Sequence, residues 1–336
     1  MQRKELTLKA VTYRKYGPSS VLKVEEIARP NTKPEHYEIC VRAAEVTKAD
    51  CELRSFNFPV KWFWLPLRLA IGVFKPRNSV LGGYFSGTIS KASESDSRFK
   101  VGDAVFGNTG MGFGAYGEFL KVSANNTMVK IPKSLSFEQA AAVPLGGLNA
   151  LHFLNIVQLK AGQHILIVGA GGSIGLFAVQ IALAKGARVS VVDKASKKVM
   201  LLKLGVEEFI DYQQSDVYAH KTQFDVVFSM VAQAPILKSL KLVKPCGIFV
   251  TGNPSFSDML LSVILPIITG KKVLFRFAKE SEHELHALVE LVNEGKLMPI
   301  IDSILPMEKA GFAHEKVELE QRNGAVVLSL NNLTEE

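Results

Sequence analysis

With 336 residues, 47% hydrophobic and 21% charged, the chain is too long for one small core and suits two domains of ordinary size. Its formal charge of +8 comes from Lys and Arg spread along the sequence in short groupings such as Lys194, Lys197 and Lys198, so no nucleic-acid-binding stripe is expected, whereas attraction to anionic ligands such as dinucleotides is. Three distant cysteines, Cys40, Cys51 and Cys246, argue against a disulfide framework and fit a reducing cytoplasm, and the charged N-terminus lacks a secretory core.

Residues 9–13 and 22–26 read as two strands joined through the Gly-Pro turn of YGPSS, and alternation over 37–43 predicts a third. That strand leads into the loop EVTKAD (45–50) and a short polar helix. The segment 56–74 follows, with more aromatic surface than its length needs. It reads first as core or domain-interface packing; an apolar wall or lid over a substrate pocket, or a peripheral membrane contact around Trp62 and Trp64, are the alternatives. Lys61, Arg68, Pro59 and Pro66 interrupt it, and the second apolar window, 259–268, is short and contains Pro266, so no transmembrane span is expected. A glycine-rich turn and strand in 80–92, a strand pair in 99–107 and two strands in 114–132 complete a series that argues for an antiparallel, barrel-like domain. Residues 137–157 are predicted helical.

At His164 the pattern changes. Residues 164–168 form an apolar run without polar alternation, as in a parallel strand covered on both faces. Gly169, Gly171, Gly172 and Gly175 then make a turn, and from Ile174 apolar residues recur at helical spacing as far as Gly186. Ile174 breaks a strict GxGxxG; the glycines that fit are spaced GxxGxxG at 169, 172 and 175. A helix opening on such a turn offers free N–H groups and a partial positive charge to a diphosphate. A strand at 188–192 ends in Asp193, where a carboxylate can accept hydrogen bonds from an adenosine ribose. A helix through 197–205, strands at 208–210, 225–229, 248–251 and 272–277 and intervening helices such as PILKSLKLVK predict a doubly wound parallel sheet of six strands. A helix over 280–294 and a tail, 298–330, with apolar alternation would return the chain to the first domain.

YGPSSVLKVEE, FKVGDAVFG, AAAVPLGGLNAL, IVGAGGSIGLFAVQIALAKGARV, LGVEEFIDY, LVKPCGIFVTG and the ending LVNEGKLMPIIDSILPMEKAGFAHEKVE together resemble the medium-chain dehydrogenase/reductase superfamily, in its zinc-independent, quinone-oxidoreductase-like branch. The resemblance covers nearly the whole chain. It implies an α/β protein in which a GroES-like antiparallel β-barrel domain (1–130, completed by 279–336) is interrupted by a Rossmann dinucleotide-binding domain (131–278), with the active site between them. It also implies a cytoplasmic enzyme and a homodimer.

Zinc-using relatives carry a cysteine in the loop that matches EVTKAD and a His-Glu pair after the glycine that matches Gly82. Thr47, Gly83 and Tyr84 stand there instead, so no metal is expected. The resemblance then implies hydride transfer from NAD(P)H to a small hydrophobic quinone or α,β-unsaturated carbonyl, whose conjugation spreads the developing charge to an oxygen. Thr47 and Tyr84 are the candidate hydrogen-bond donors to that oxygen; loop ordering and packing are their structural alternatives. Asp50 reads as a loop-ordering residue. The coenzyme set carried over from the family is Lys48, Asn149, Gly169, Gly171, Gly172, Ser173, Ile174, Gly175, Asp193, Lys194, Lys197, Tyr212, Val231 and Gly252. Asp193 would repel the 2′-phosphate of NADPH, while Lys194, Lys197 and Lys198 would offset that repulsion, so NADH and NADPH both stay open. A dinucleotide-binding regulatory or structural protein of the same fold, with little catalytic activity, is the alternative function.

Overall fold

The computed structural model describes residues 7–59, 64–232, 234–252, 254–275 and 280–330. Trp62, in the expected membrane-facing patch, and the end of the strand expected at 272–277 lie outside them. Strands β1 (Thr7–Thr12) and β2 (Lys23–Ala28) pair antiparallel as a two-stranded sheet. Strand β3 (His36–Val46) is longer than its alternation indicated. It runs on through Glu45 and Val46, which the sequence reading gave to the following loop, because both find partners on a strand near the C-terminus. Helices α1 (Lys48–Ser55) and α2 (Trp64–Ile71) follow, then β4 (Tyr84–Lys91), β5 (Ala104–Asn108), β6 (Phe119–Ser123) and β7 (Met128–Lys130). The stretch 99–107 holds one strand rather than the expected pair, because the chain turns at Val101 and Gly102, where the Asp103 N–H bonds the Lys100 carbonyl.

Segment 56–74 departs further from expectation. Phe56 and Phe58 join the barrel core as expected, but none of the residues in α2 is buried, and Leu65, Leu69 and Phe74 face solvent. Its attachment is through rings: Trp64 meets the Phe56 ring edge-on at 5.6 Å, and the Arg68 guanidinium lies 4.1 Å from the centroids of Tyr16 and Phe56.

Helices α3 (Phe137–Ala141) and α4 (Val143–Ile156) carry the chain to the second sheet. This sheet comprises β8 (His164–Val168), β9 (Arg188–Asp193), β10 (Glu208–Asp211), β11 (Phe224–Ser229), β12 (Val243–Thr251) and β13 (Lys272–Phe275), all parallel, in the order β10-β9-β8-β11-β12-β13. Helices α5 (Ser173–Ala184), α6 (Lys198–Lys203), α7 (Ile236–Ser239) and α8 (Phe256–Thr269) connect the strands. Nine of the twelve residues of α5 are buried, so packing against α4, β8 and β9, rather than helix propensity, holds it in place.

After α9 (Glu282–Asn293) come β14 (Ile301–Pro306), α10 (Ala310–Glu318) and β15 (Ala325–Ser329). Helix α10 has few apolar positions and leaves little trace in the sequence. The return of the tail is made by β15, which pairs antiparallel with β3 and parallel with β14. The first sheet has seven strands, running β14-β15-β3-β4-β5-β7 with β6 also on β3. The protein is thus an α/β fold, a GroES-like barrel sheet joined to a doubly wound six-stranded parallel sheet.

Candidate active site

In the parallel sheet, strand order reverses between β8 and β11, and a ligand crevice is expected outside the carboxyl ends of the strands at such a point. The glycine turn lies there. Gly169 has φ of +79°, which bends the chain sharply off β8. A Cβ on Gly175 would come 2.3 Å from the Gly169 carbonyl oxygen, so α5 seats directly on the turn's backbone. Gly172 caps α5, and a Cβ there would meet only the Gly169 oxygen, at 3.5 Å. The helix mouth is therefore open, and the first N–H groups of α5, those of Ser173, Ile174 and Gly175, have no intrahelical acceptor. The turn's backbone fits a coenzyme diphosphate.

Asp193 ends β9, yet its carboxylate is occupied within the protein. Its Oδ2 accepts from the Gly171 N–H at 2.6 Å, its Oδ1 accepts from the Lys194 N–H at 2.8 Å, and Lys197 Nζ lies 3.6 Å from Oδ1 and donates to the Gly171 carbonyl at 3.3 Å. Asp193 and Lys197 are each 4% exposed. A Cβ on Gly171 would fall 2.2 Å from Lys197 Cδ, so this glycine makes room for the lysine stem rather than for a ligand. Asp193 orders the turn, and Lys197 offsets its charge. The repulsion toward a 2′-phosphate argued from the sequence is correspondingly weaker.

Tyr212, 46% exposed, follows β10, and its N–H reaches the Asp193 carbonyl at 3.4 Å. Val231 lies just past β11, with Cγ2 3.2 Å from the Cβ position of Gly169, and Gly252 follows β12 beside Met230 and Phe153. The structure thus gathers the turn, Asp193, Lys194, Lys197, Tyr212, Val231 and Gly252 at the carboxyl ends of β8 to β12. Asn149 sits on α4 and donates to the Leu145 carbonyl one turn back, at 2.8 Å. Lys48 is directed elsewhere than the diphosphate expected for it: its Nζ donates to the Glu318 carbonyl at 2.8 Å and lies 3.3 Å from Glu320, closing the end of α10.

The two candidate donors differ. Thr47 caps α1: its hydroxyl donates to Asp50 Oδ2 at 2.7 Å and accepts from the Asp50 N–H at 3.1 Å, while its own N–H donates to the same Oδ2 at 3.0 Å. At 2% exposure, with its proton given to Asp50, Thr47 offers nothing to a substrate oxygen, and the donor role expected of it is corrected to loop ordering. Tyr84, the first residue of β4, is only part-buried and donates to Glu280 Oε1 at 2.9 Å. Burial and the Glu280 carboxylate push its phenol well above the ordinary value, so the proton stays on.

Sequence reasoning missed Glu45 and Arg322. Glu45, on β3, is 0% exposed and its Oε1 accepts from Ser173 Oγ, on the first turn of α5, at 2.8 Å; this bond joins the barrel sheet to the mouth of the coenzyme helix. Its Oε2 has no partner among the described residues. Burial pushes its carboxyl up to about 8, against the Ser173 bond and the Arg322 charge. Arg322, 7% exposed, leaves Nε and Nη1 unpartnered among the described residues. The signal for Glu45 was available: a lone acid inside the apolar run AAEV.

Thr47, Gly83 and Tyr84 do not fit a zinc ion: the first is closed in a cap, the second has no side chain, and the third is bonded to Glu280. Among the described residues, no three His, Cys, Asp or Glu side chains gather to hold a metal. Two surface hollows, of about 300 Å³ between α4, α5 and α9 and about 510 Å³ between Ser19 and Glu315, share no residue with the crevice.

Residues 33–133 match the alcohol dehydrogenase GroES-like domain family, and residues 204–328 the zinc-binding dehydrogenase family. The chain belongs to the medium-chain dehydrogenase/reductase superfamily, as its two sheets and the glycine turn between them indicate. Quinone oxidoreductases are among the proteins it resembles. It is 28% identical to the quinone oxidoreductase of Homo sapiens over 92% of this chain and 94% of that protein, and 29% identical to the 2-methylene-furan-3-one reductase of Solanum lycopersicum over 96% and 79%. The solved quinone oxidoreductase of Coxiella burnetii superposes with a TM-score of 0.83 at 28% identity, over 97% of this chain and all of that one.

Proposed function

We propose that the protein reduces quinones or α,β-unsaturated carbonyls by hydride transfer from NAD(P)H. The observation that supports this reading is the Ser173–Glu45 hydrogen bond, which joins the first turn of α5 to β3, the strand that pairs with β4, where Tyr84 stands. The reduced nicotinamide supplies the hydride. The glycine turn binds the diphosphate, Val231 and Gly252 flank the ring, and Tyr84, once its O–H turns from Glu280 to the substrate, donates a hydrogen bond to the oxygen on which charge develops. Tyr84 polarises that oxygen without losing its proton, which suits a conjugated acceptor that spreads its own charge. The relatives named quinone oxidoreductase and 2-methylene-furan-3-one reductase support this class of acceptor. Because Lys197 neutralises Asp193, both NADH and NADPH are admitted.

Fluorescence titration with NADH and NADPH, followed by assay against quinones, enones and aldehydes, tests the proposal. Tyr84→Phe is expected to leave the coenzyme Kd within about twofold and to lower kcat about 100-fold; an unchanged kcat would return Tyr84 to a packing role. Tight coenzyme binding without turnover on any acceptor supports the second reading, a dinucleotide-binding regulatory or structural protein, which the enclosed Thr47 hydroxyl favours.

A homodimer and a cytoplasmic location complete the proposal. Helix α8 exposes Phe256, Leu260, Val263, Ile264, Ile267 and Ile268 immediately before the edge strand β13, a face larger than scattered surface apolar residues. Ile264→Asp with Ile267→Asp should convert dimer to monomer in light scattering; a wild-type monomer at tens of micromolar refutes the assignment. No helix among the described residues is long and apolar enough to cross a membrane, and α2 with the residues just after it, Leu65, Leu69 and Phe74 outward, is the surface through which peripheral contact would run.

A further inference from the structure

We infer that Glu45 makes coenzyme binding proton-linked: its carboxyl stands at the mouth of α5 and must be neutral when a dinucleotide diphosphate occupies that mouth. The inference rests on the coenzyme reading above and adds to it a regulation of the same site.

The geometry is specific. Glu45 reaches out of the barrel sheet to the first residue of α5, where Ser173 Oγ donates to its Oε1 at 2.8 Å. It is 0% exposed and its Oε2 is without a partner among the described residues, so water screens it poorly. Beside it, across β3, Val327 of β15 seals the strand with an apolar side chain. The charged and titratable groups that face Glu45 come from four directions. Arg322, ahead of β15, favours the ionised form; Asp50 of α1 disfavours it; Tyr84 of β4 and Tyr116, ahead of β6, both hold their protons. Ser173 favours the anion through its hydrogen bond. Burial outweighs Arg322 and Ser173, and the carboxyl titrates at about 8.

A diphosphate seated on the N–H groups of Ser173 and Ile174 adds negative charge beside this carboxyl in a site without bulk water. Below pH 8 the unliganded protein already carries the proton, and binding needs none. Above it Glu45 is an anion, and each coenzyme that binds must bring a proton with it. Affinity is therefore flat on the acid side and falls on the alkaline side. The proton goes to Glu45 Oε2, the oxygen that no donor among the described residues holds.

The experiment is calorimetric and fluorimetric titration of the full chain with NADH and NADPH from about pH 6.5 to about pH 9.5, in buffers of differing ionisation enthalpy; above about pH 7.5 the 2′-phosphate of NADPH no longer titrates. The expected wild-type result is a constant Kd up to the break, then weakening that approaches tenfold per unit, with uptake of about one proton per coenzyme. Glu45→Gln, which keeps an oxygen for Ser173, should give a flat profile without uptake. Ser173→Ala, which removes the bond that favours the anion, should move the break to higher pH, and this variant decides the matter if Glu45→Gln does not fold. Binding with a flat wild-type profile and no proton uptake, or a break that persists in Glu45→Gln, overturns the inference and leaves the coenzyme reading standing. Absence of binding at every pH overturns both.

Discussion

Gly172→Val is expected to raise the coenzyme Kd by about 100-fold or more while leaving the fold nearly as stable, and Gly175→Ala to do the reverse. The two glycines are three residues apart and look alike in sequence. Gly172 has an extended backbone, φ −84° and ψ 172°, that valine adopts readily, and a Cβ there meets only one oxygen, at 3.5 Å. The added methyls stand in the open mouth that the diphosphate would fill, and the loss of a good cap costs about 1 kcal/mol. On Gly175, a single Cβ would lie 2.3 Å from the Gly169 oxygen and 2.6 Å from Ala170 Cα and oxygen, all of it turn backbone. The helix must back away from the strand, at a cost of about 3 kcal/mol. Urea midpoints and NADH titration of both variants separate the effects; a Gly172→Val protein that binds coenzyme normally would place the diphosphate elsewhere.

Asp50→Ala should destabilise the barrel sheet by about 3 kcal/mol, the sum of a lost cap and buried donors left unpaired. One carboxylate here performs three tasks. Oδ2 accepts from the N–H and the hydroxyl of Thr47, which starts α1, and Oδ1 accepts from the Gly82 N–H at 3.1 Å, which fixes the turn into β4 and so the position of Tyr84. The same variant is therefore expected to lose turnover as well as stability. Asp50→Asn, which keeps one oxygen acceptor, should lose about half as much stability. Equilibrium denaturation in urea measures both, and an Asp50→Ala midpoint equal to wild type would mean that the cap and the turn hold without it.

The coenzyme half of the molecule was legible from its residues because each signal is local. An unbroken apolar run, a glycine turn, an amphipathic helix and an acid at the next strand's end occupy one continuous stretch, and β8, α5 and β9 fall within a residue or two of where that stretch puts them. Misreadings cluster where a partner far away in sequence decides the outcome. Glu45 and Val46 read as loop because their strand partners, Val327 and Val326, are at the other end of the chain. Asp193 read as a ribose acceptor because the sequence does not show Lys197 folding back over Gly171. Thr47 read either as a donor or as a loop-ordering residue, and the capping box, whose T-x-x-D spacing was in view, favours the second. Segment 56–74 read as core or interface packing on composition; Phe56 and Phe58 are core, whereas Trp64, Leu65, Leu69, Val73 and Phe74 face outward.

The pairing of β15 with β3 sets the order in which the molecule can be assembled. Val326 and Val46 are neighbours across the sheet although 326 − 46 = 280 residues separate them in the chain. During synthesis the 43–46 part of one edge of β3, beyond the stretch that β6 covers, therefore waits unpaired until β15 has emerged, while the parallel sheet between β8 and β13 already has all its strands. Folding of the nucleotide-binding half can precede closure of the other, and the slow, loop-closing step is the final one. The same strand seals Glu45, so the proton-linked carboxyl acquires its buried environment only when the C-terminal strand arrives. A chain truncated ahead of β15 would keep its dinucleotide turn and lose both the sheet edge and the setting of that acid.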